Sequence, residues 1–420
     1  MNLHPDIVKA VAKEGYKNTT TIQKRMIPLA IKGADVICAS KSGTGKTAAY
    51  ILPILNRLRK VIKPDAPRVI RALILLPTIE LVDQVSHTIK SFGKYIDVKD
   101  VRIQGGTYRG KQIERISSGV DIAVATPGRL LSLIGAGKIN LDYVDVVVLD
   151  EADTMLELGF LAEMKSLLLR TKNRRQTIIL SATISQNIKK LAKEFMSNPA
   201  TVEVSDRRDV VDIIKHRSFK VDRAKKSALV SRLIDDLEID QMLLFANSKE
   251  SADKIYEYLK FKKIRVSIMH GDITRASRAK SLALLKSGKT QVLVATDIAA
   301  RGIDIKELSY VMNYDVPSTT DEFTHRVGRT GRAQSKGMVI SLLTTREYNA
   351  FAKIERDLKL NIKREIHPKY ELTDTQPRQK QPKRKSLREK KGFIDKDKLR
   401  KQAHARNRNK SNKSKKTKRD

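Results

Sequence analysis

Short, almost continuous apolar runs recur along the first half of the chain, at residues 34–38, 72–76, 122–125, 146–149 and 178–180. Between them lie helix-like segments, among them 48–59, 80–92 and 161–170. Runs without polar alternation predict strands buried on both faces, and their alternation with helices predicts a parallel α/β sheet. Residues 1–33 read as helices around a turn at 18–21. A charged stretch, Asp206-Arg207-Arg208-Asp209, breaks the pattern, which restarts with apolar runs at 242–245, 266–269, 292–295, 311–313 and 338–343. The expected division is a first domain over 1–205, a linker over 206–212 and a second α/β domain over 213–370. From about Pro377 the apolar periodicity stops and Gln, Lys, Arg, Asn and Ser dominate, so residues 371–420 read as a disordered basic tail.

Charge sharpens this picture. The 420-residue chain carries a formal net charge of +37, which predicts a polyanionic partner, most simply nucleic acid. Residues 371–420 hold 20 Lys/Arg against 6 Asp/Glu, a net of +14, so most of the excess belongs to the folded body. The single cysteine, Cys38, excludes an internal disulfide and reads as core on an apolar strand. Residues 1–11 lack the basic-then-apolar layout of a signal peptide, and no apolar run approaches membrane-spanning length, so a cytoplasmic protein is expected. His4, His87, His216, His367 and His404 show no metal-ligand spacing.

The candidate chemistry begins at Ser40-Lys41-Ser42-Gly43-Thr44-Gly45-Lys46-Thr47, between a strand and a helix. A loop of this kind turns backbone N–H groups inward, and the new helix adds its positive end, making a cradle for phosphates from Ser42, Gly43, Thr44 and Gly45. Lys46 is placed to reach the β/γ-phosphates of a nucleotide and the Thr47 hydroxyl to hold Mg²⁺. Ser40 stands where the strict phosphate-loop pattern has glycine. Asp150-Glu151-Ala152-Asp153 follows the run at 146–149, where α/β sheets bind ligands. Asp150 is the candidate metal-holding carboxylate and Glu151 the candidate base for the attacking water.

With these residues in hand, the chain resembles the DEAD-box ATP-dependent RNA helicases, and the bacterial RhlE-like branch in particular. The signature is Asp-Glu-Ala-Asp at 150–153, and the other family motifs follow in order from Gln23 to Arg332. The resemblance implies two tandem RecA-like domains, ATP and Mg²⁺ as cofactors, and RNA as partner. It implies that Gln23 reads adenine. The aromatic residue that the family stacks on adenine would fall before Met1, so either the start is truncated or ATP selectivity is weaker; Tyr16 reads as core and not as its substitute.

Further implied roles map residue by residue. Pro77, Thr78, Gly106, Thr126, Pro127, Gly128 and Arg129 resemble the first-domain RNA motifs, with Ile79 where the family has Arg. Ser181-Ala182-Thr183 would couple nucleotide state to RNA binding through hydroxyl hydrogen bonds to the acidic motif around Asp153, with helix capping as the plainer alternative. In the second domain, Thr296 and Arg301 would contact RNA or the interdomain face, Asp304 would accept from the ribose hydroxyl, and Arg275 replaces the usual Gln. His325 opens a stretch in which Arg326, Arg329 and Arg332 recur every third residue, expected along one side of a helix or helix-like turn. Arg329 and Arg332 are the candidate arginine fingers.

Since neither domain holds a complete site, hydrolysis is expected to need closure of both over ATP, favoured by RNA lying across them. The expected protein is a monomer that separates RNA strands locally, in ribosome assembly or RNA turnover. The alternative is an RNA clamp or annealing chaperone with little ATP turnover; a DNA helicase is a third reading, and a nucleolar location a second one.

Overall fold

The computed structural model describes residues 3–40, 44–59, 67–204, 214–300, 308–330, 337–370 and 372. The expected linker at 206–212 and, apart from Leu372, the tail at 371–420 lie outside them. In the first lobe the strands are β1 (Val36–Ser40), β2 (Ala72–Leu75), β3 (Asp100–Ile103), β4 (Ile122–Ala125), β5 (Val146–Leu149), β6 (Gln176–Ser181) and β7 (Ala200–Val204). Its helices are α1 (Pro5–Lys13), α2 (Thr21–Ile31), α3 (Lys46–Leu58), α4 (Ile79–Phe92), α5 (Arg109–Ser117), α6 (Pro127–Gly135), α7 (Ala152–Glu157), α8 (Leu161–Arg170) and α9 (Gln186–Phe195). The second lobe has β8 (Lys215–Lys220), β9 (Met242–Ala246), β10 (Val266–Met269), β11 (Val292–Thr296), β12 (Tyr310–Asn313), β13 (Met338–Leu343) and β14 (Arg364–Ile366). Its helices are α10 (Lys226–Asp236), α11 (Lys249–Phe261), α12 (Arg275–Lys286), α13 (Asp297–Ala300), α14 (Thr320–Val327) and α15 (Tyr348–Leu358).

Both sheets are parallel and seven-stranded, in the orders β3-β4-β2-β5-β6-β1-β7 and β10-β11-β9-β12-β13-β8-β14. Alternate residues of a strand feed opposite faces: Val146 and Val148 join one core cluster, Val147 and Leu149 the other. That two-sided burial is why the central strands read as unbroken apolar runs. Four strands lack such a run. β3 and β7 are the edges of the first sheet, and β14 is one edge of the second. β8, beside it, is polar at every position but Phe219, with Arg217 paired to Glu365 across the two strands.

The strand order positions the site. β6 is inserted between β1 and β5, so the C-terminal ends of these three strands lie side by side. They carry the loop after Ser40, the acids from Asp150 and the Ser181–Thr183 segment. Cys38 is fully buried in the core, with its thiol pushed up to about 11 by burial. Tyr16 differs from expectation: it is 56% exposed and meets Phe92 edge-on from outside the core. Among the described residues no helix is long and apolar enough to cross a membrane.

Candidate nucleotide and RNA site

The phosphate loop is held in position from several sides. Gly45 caps α3 with φ +90°, and a Cβ there would sit 2.5 Å from Gln23 Nε2, so glycine is required twice over. Gln23 donates from Nε2 to the Gly45 carbonyl at 3.2 Å and accepts from the Thr20 N–H in a capping box. The candidate adenine reader therefore touches the loop that cradles phosphates. Lys46 Nζ donates to the Ser40 carbonyl at 2.6 Å, and the Ser40 and Thr44 hydroxyls pair at 2.6 Å. Ser42 and Gly43 lie outside the described residues.

The acids face this lysine. Asp150 is buried, and desolvation pushes its carboxyl above the usual range while Lys46 and a hydrogen bond from Tyr50 pull it back. The Tyr50 hydroxyl donates to Asp150 Oδ2 at 3.0 Å and also hydrogen-bonds Thr47. Thr47 and Asp150 thus meet on one phenol oxygen, and a hydroxyl beside a buried carboxylate is a pair of hard oxygen donors that fits a divalent cation such as Mg²⁺. Glu151 has left-handed backbone, φ 50° and ψ 49°, at the start of α7, a strained conformation for a side chain with a Cβ. Burial raises its carboxyl to about 7, with Asp150 and Asp153 pushing the same way and Lys46 and Arg329 opposing. A carboxylate poised near neutrality suits a general base.

The coupling segment is wired differently from expectation. Asp153 Oδ2 accepts from the Ala182 backbone N–H at 2.8 Å, whereas the Ser181 hydroxyl donates to the Thr183 carbonyl at 2.6 Å. The link to the acidic motif therefore runs through backbone, and α9 is capped by Ser185, not by Ser181 or Thr183.

The RNA-motif residues gather along the same lobe. Thr78 caps α4 through the Leu81 N–H, and Pro77 is buried beneath it. Gly106 has φ +67°, and the Ile79 side chain lies 3.8 Å from where its Cβ would be, an apolar neighbour where the family has Arg. Thr126 makes no cap to α6, Gly128 faces open space, and Arg129 donates to the Thr107 carbonyl at 3.4 Å. An uncapped helix start with Pro127 at its first turn leaves N–H groups for a phosphate. A cleft of about 590 Å³ beside these residues is lined by Gln104, Thr107, Tyr108, Lys111 and, from the second lobe, Arg275.

Of the second-lobe candidates, Arg301, Asp304 and Arg332 lie outside the described residues. Thr296 ends β11, and His325 is half-buried on α14. The arginine series does not run along one helix side. α14 ends at Val327 with Gly328 as its cap, and Arg329 lies past it, 6% exposed. Arg326 is 1% exposed and fully spent inside the lobe: it forks onto Asp297 at 2.7 and 2.6 Å and donates to Asn313, Asn247 and the Asp315 carbonyl. It orders the turn that presents Arg329, whose charge reaches Glu151 of the first lobe. Two ion pairs join the lobes. Arg278 meets Glu80 at 2.9 Å, and Arg275 meets Asp83, which also accepts from Arg102 and Gln104.

Residues 20–191 match the family model described as DEAD/DEAH box helicase, and residues 225–334 match that of the helicase conserved C-terminal domain. The chain is 37% identical over 367 residues to the DEAD-box ATP-dependent RNA helicase CshA of Bacillus subtilis, covering 87% of this chain and 73% of that protein.

The chain belongs to the DEAD-box ATP-dependent RNA helicases.

Among solved structures, the helicase matches S. cerevisiae Dbp5 bound to RNA and ADP-BeF3 with a TM-score of 0.77 at 29% identity, covering 87% of this chain and 94% of that one. A Dbp5 variant bound to Nup159, Gle1, IP6 and ADP gives 0.60 at 28% identity, covering 87% and 96%. The chain thus superposes better on RNA-bound Dbp5 than on that variant. It is an ATP-hydrolysing enzyme whose partner is RNA.

Three parts of the site escape sequence reading. Tyr50 lies four residues past Lys46, hence on the same helix face, but reads as one more apolar position of α3. Arg326 reads only as one more member of the arginine series, because its acceptors come from three separate strand ends. The Asp153–Ala182 bond involves a backbone group and leaves no side-chain signal.

Proposed function

We propose that the helicase divides its ATPase between the lobes. Lys46 and the loop around Thr44 and Gly45 bind the phosphates, Gln23 reads adenine, and Thr47 and Asp150 would hold Mg²⁺. When bound, that ion would supply positive charge to offset that of the phosphates. Glu151 takes the proton of the attacking water, and Arg329, with Arg332, balances the charge that develops in transit. The observation that carries this reading is the joining of the phosphate loop to the acids, with Tyr50 of the helix that Lys46 opens donating to Asp150 at 3.0 Å, while the Arg278–Glu80 and Arg275–Asp83 ion pairs hold the second lobe against the first.

RNA held by Thr78, Gly106, Thr126 and Arg129 on one lobe and Thr296 and Arg301 on the other favours the closed arrangement, and closure completes the ATPase. The wired connection is Ser181–Thr183 to Asp153, through the Ala182 amide. The helicase acts as a monomer in the cytoplasm, on ribosomal precursors or RNA under turnover; co-purification of tagged protein with such RNA tests that assignment. The decisive experiment is steady-state ATP hydrolysis with and without single-stranded RNA for the native protein, Glu151→Gln and Arg329→Ala. RNA stimulation lost in both variants is expected. Tight RNA binding without turnover in the native protein would instead establish the clamp reading.

A further inference from the structure

The end of α11 and the loop after it carry Lys260, Phe261, Lys262, Lys263 and Arg265, all exposed. Phe261 is 79% exposed, and Lys262 Nζ lies 5.8 Å from the centroids of both Phe261 and Tyr258. Lys260 Nζ lies 5.7 Å from the Tyr256 ring. The tyrosines beneath are partly buried against the second-lobe core, so the surface has a rigid base. Within these turns one carboxylate, Glu257, stands 3.8 Å from Lys260, both exposed, which is a weak pair. Arg265 donates once, to the Gly288 carbonyl, leaving most of its fork outward.

None of the nucleotide or RNA motifs uses this surface. Asn247 and Ser248 stand at the start of α11, whose 13 residues separate them from Phe261 by roughly 20 Å. A single exposed phenylalanine needs no explanation. One with Lys262 over its ring and three more exposed cations within four residues does, because the surface suits a partner that brings anionic groups and flat π faces together, as a nucleic-acid strand does. A second observation points the same way. The described body ends beside this helix: Tyr370 packs in the same cluster as Tyr256 and Tyr258, lies within electrostatic reach of Tyr258, and donates to the Ala228 carbonyl at 3.0 Å. From there the chain continues into residues carrying a net +14.

We propose that the C-terminal end of α11 is an accessory RNA-docking surface, with a base stacked on Phe261 and phosphates paired to Lys260, Lys262, Lys263 and Arg265. It rests on the RNA-helicase reading and takes the strand beyond the segment held by the motifs. The test uses the full chain carrying Phe261→Ala, Lys262→Glu and Lys263→Glu together, all exposed positions, with folding checked by thermal melting. Binding is measured with labelled oligouridylates of ~10 and ~40 nucleotides across a salt series. Expected is a loss of about tenfold for the long RNA and a salt slope shallower by ~2, with short-RNA affinity and its stimulation of ATPase unchanged. Phe261→Tyr retains the long-RNA affinity, and 4-thiouridine in the long RNA crosslinks to residues 258–263. Unchanged long-RNA affinity and slope overturn the proposal and leave the patch to an acidic protein or to solvent; equal losses for both lengths overturn it as well. Failure of short RNA to stimulate the native protein would count against the helicase mechanism instead, so the two failures are distinct.

Discussion

Glu151 links stability to catalysis, and Glu151→Gln separates them. Its carboxyl sits at about 7 in the folded chain against an ordinary 4.5. The group is protonated in both folded and unfolded states below 4.5 and contributes nothing there. Between 4.5 and about 7 the native state keeps a proton that the unfolded state has released, so stability falls as pH rises through this window. Above it the full cost is present. The pKa difference corresponds to at most ~3 kcal/mol, and the residue's partial exposure to solvent reduces this to ~1–2 kcal/mol. The neutral amide escapes that cost. In EDTA without nucleotide, Glu151→Gln is therefore expected to be more stable than the native protein at about pH 8 and equal to it near pH 4.5, while its ATPase is abolished. For a lobe of this size the gain is about 2–4 °C in melting temperature per kcal/mol. Melting curves across this pH range decide the matter. A difference independent of pH, or a variant less stable than the native protein at high pH, would falsify the assignment of burial as the cause.

Four further outcomes are expected. Tyr50→Phe removes a hydrogen bond to a buried carboxylate, worth about 1.5–3 kcal/mol, and lets Asp150 rise further; ADP affinity in EDTA is expected to hold while the increment given by Mg²⁺ shrinks, read by fluorescent-nucleotide titration. Arg275→Gln removes one half-exposed interlobe ion pair, ~0.3–1 kcal/mol, so interlobe FRET in RNA and nucleotide should show a smaller closed population, converging with the native protein in high salt. Arg326→Lys leaves Asn247, Asn313 and Asp297 without their fork and should destabilise the second lobe by ~3 kcal/mol in denaturant unfolding. Deleting 371–420 should weaken RNA binding and flatten its salt dependence while RNA-saturated ATPase stays intact; unchanged affinity and slope would refute a role for the tail's charge.

The residue order alone determined the parallel α/β architecture, because strands buried on both faces must be continuous apolar runs, as at 146–149. It also determined the glycine loop and the acids, whose chemistry sits in contiguous residues at strand ends. It left β3, β7, β8 and β14 unread, since edge strands and their neighbours alternate or carry charge and need no apolar run. Contacts between distant segments were decided only by the tertiary structure. The insertion of β6 between β1 and β5 brings Ser181–Thr183 beside Asp153, yet which atoms bond there is a backbone matter. Arg326 and Arg329 have the same side chain three residues apart. Helix termination at Gly328 and the acceptors of Asp297, Asn313 and Asn247 hold the first inside its own lobe and leave the second beyond the helix end, because a guanidinium goes where its five donors are satisfied.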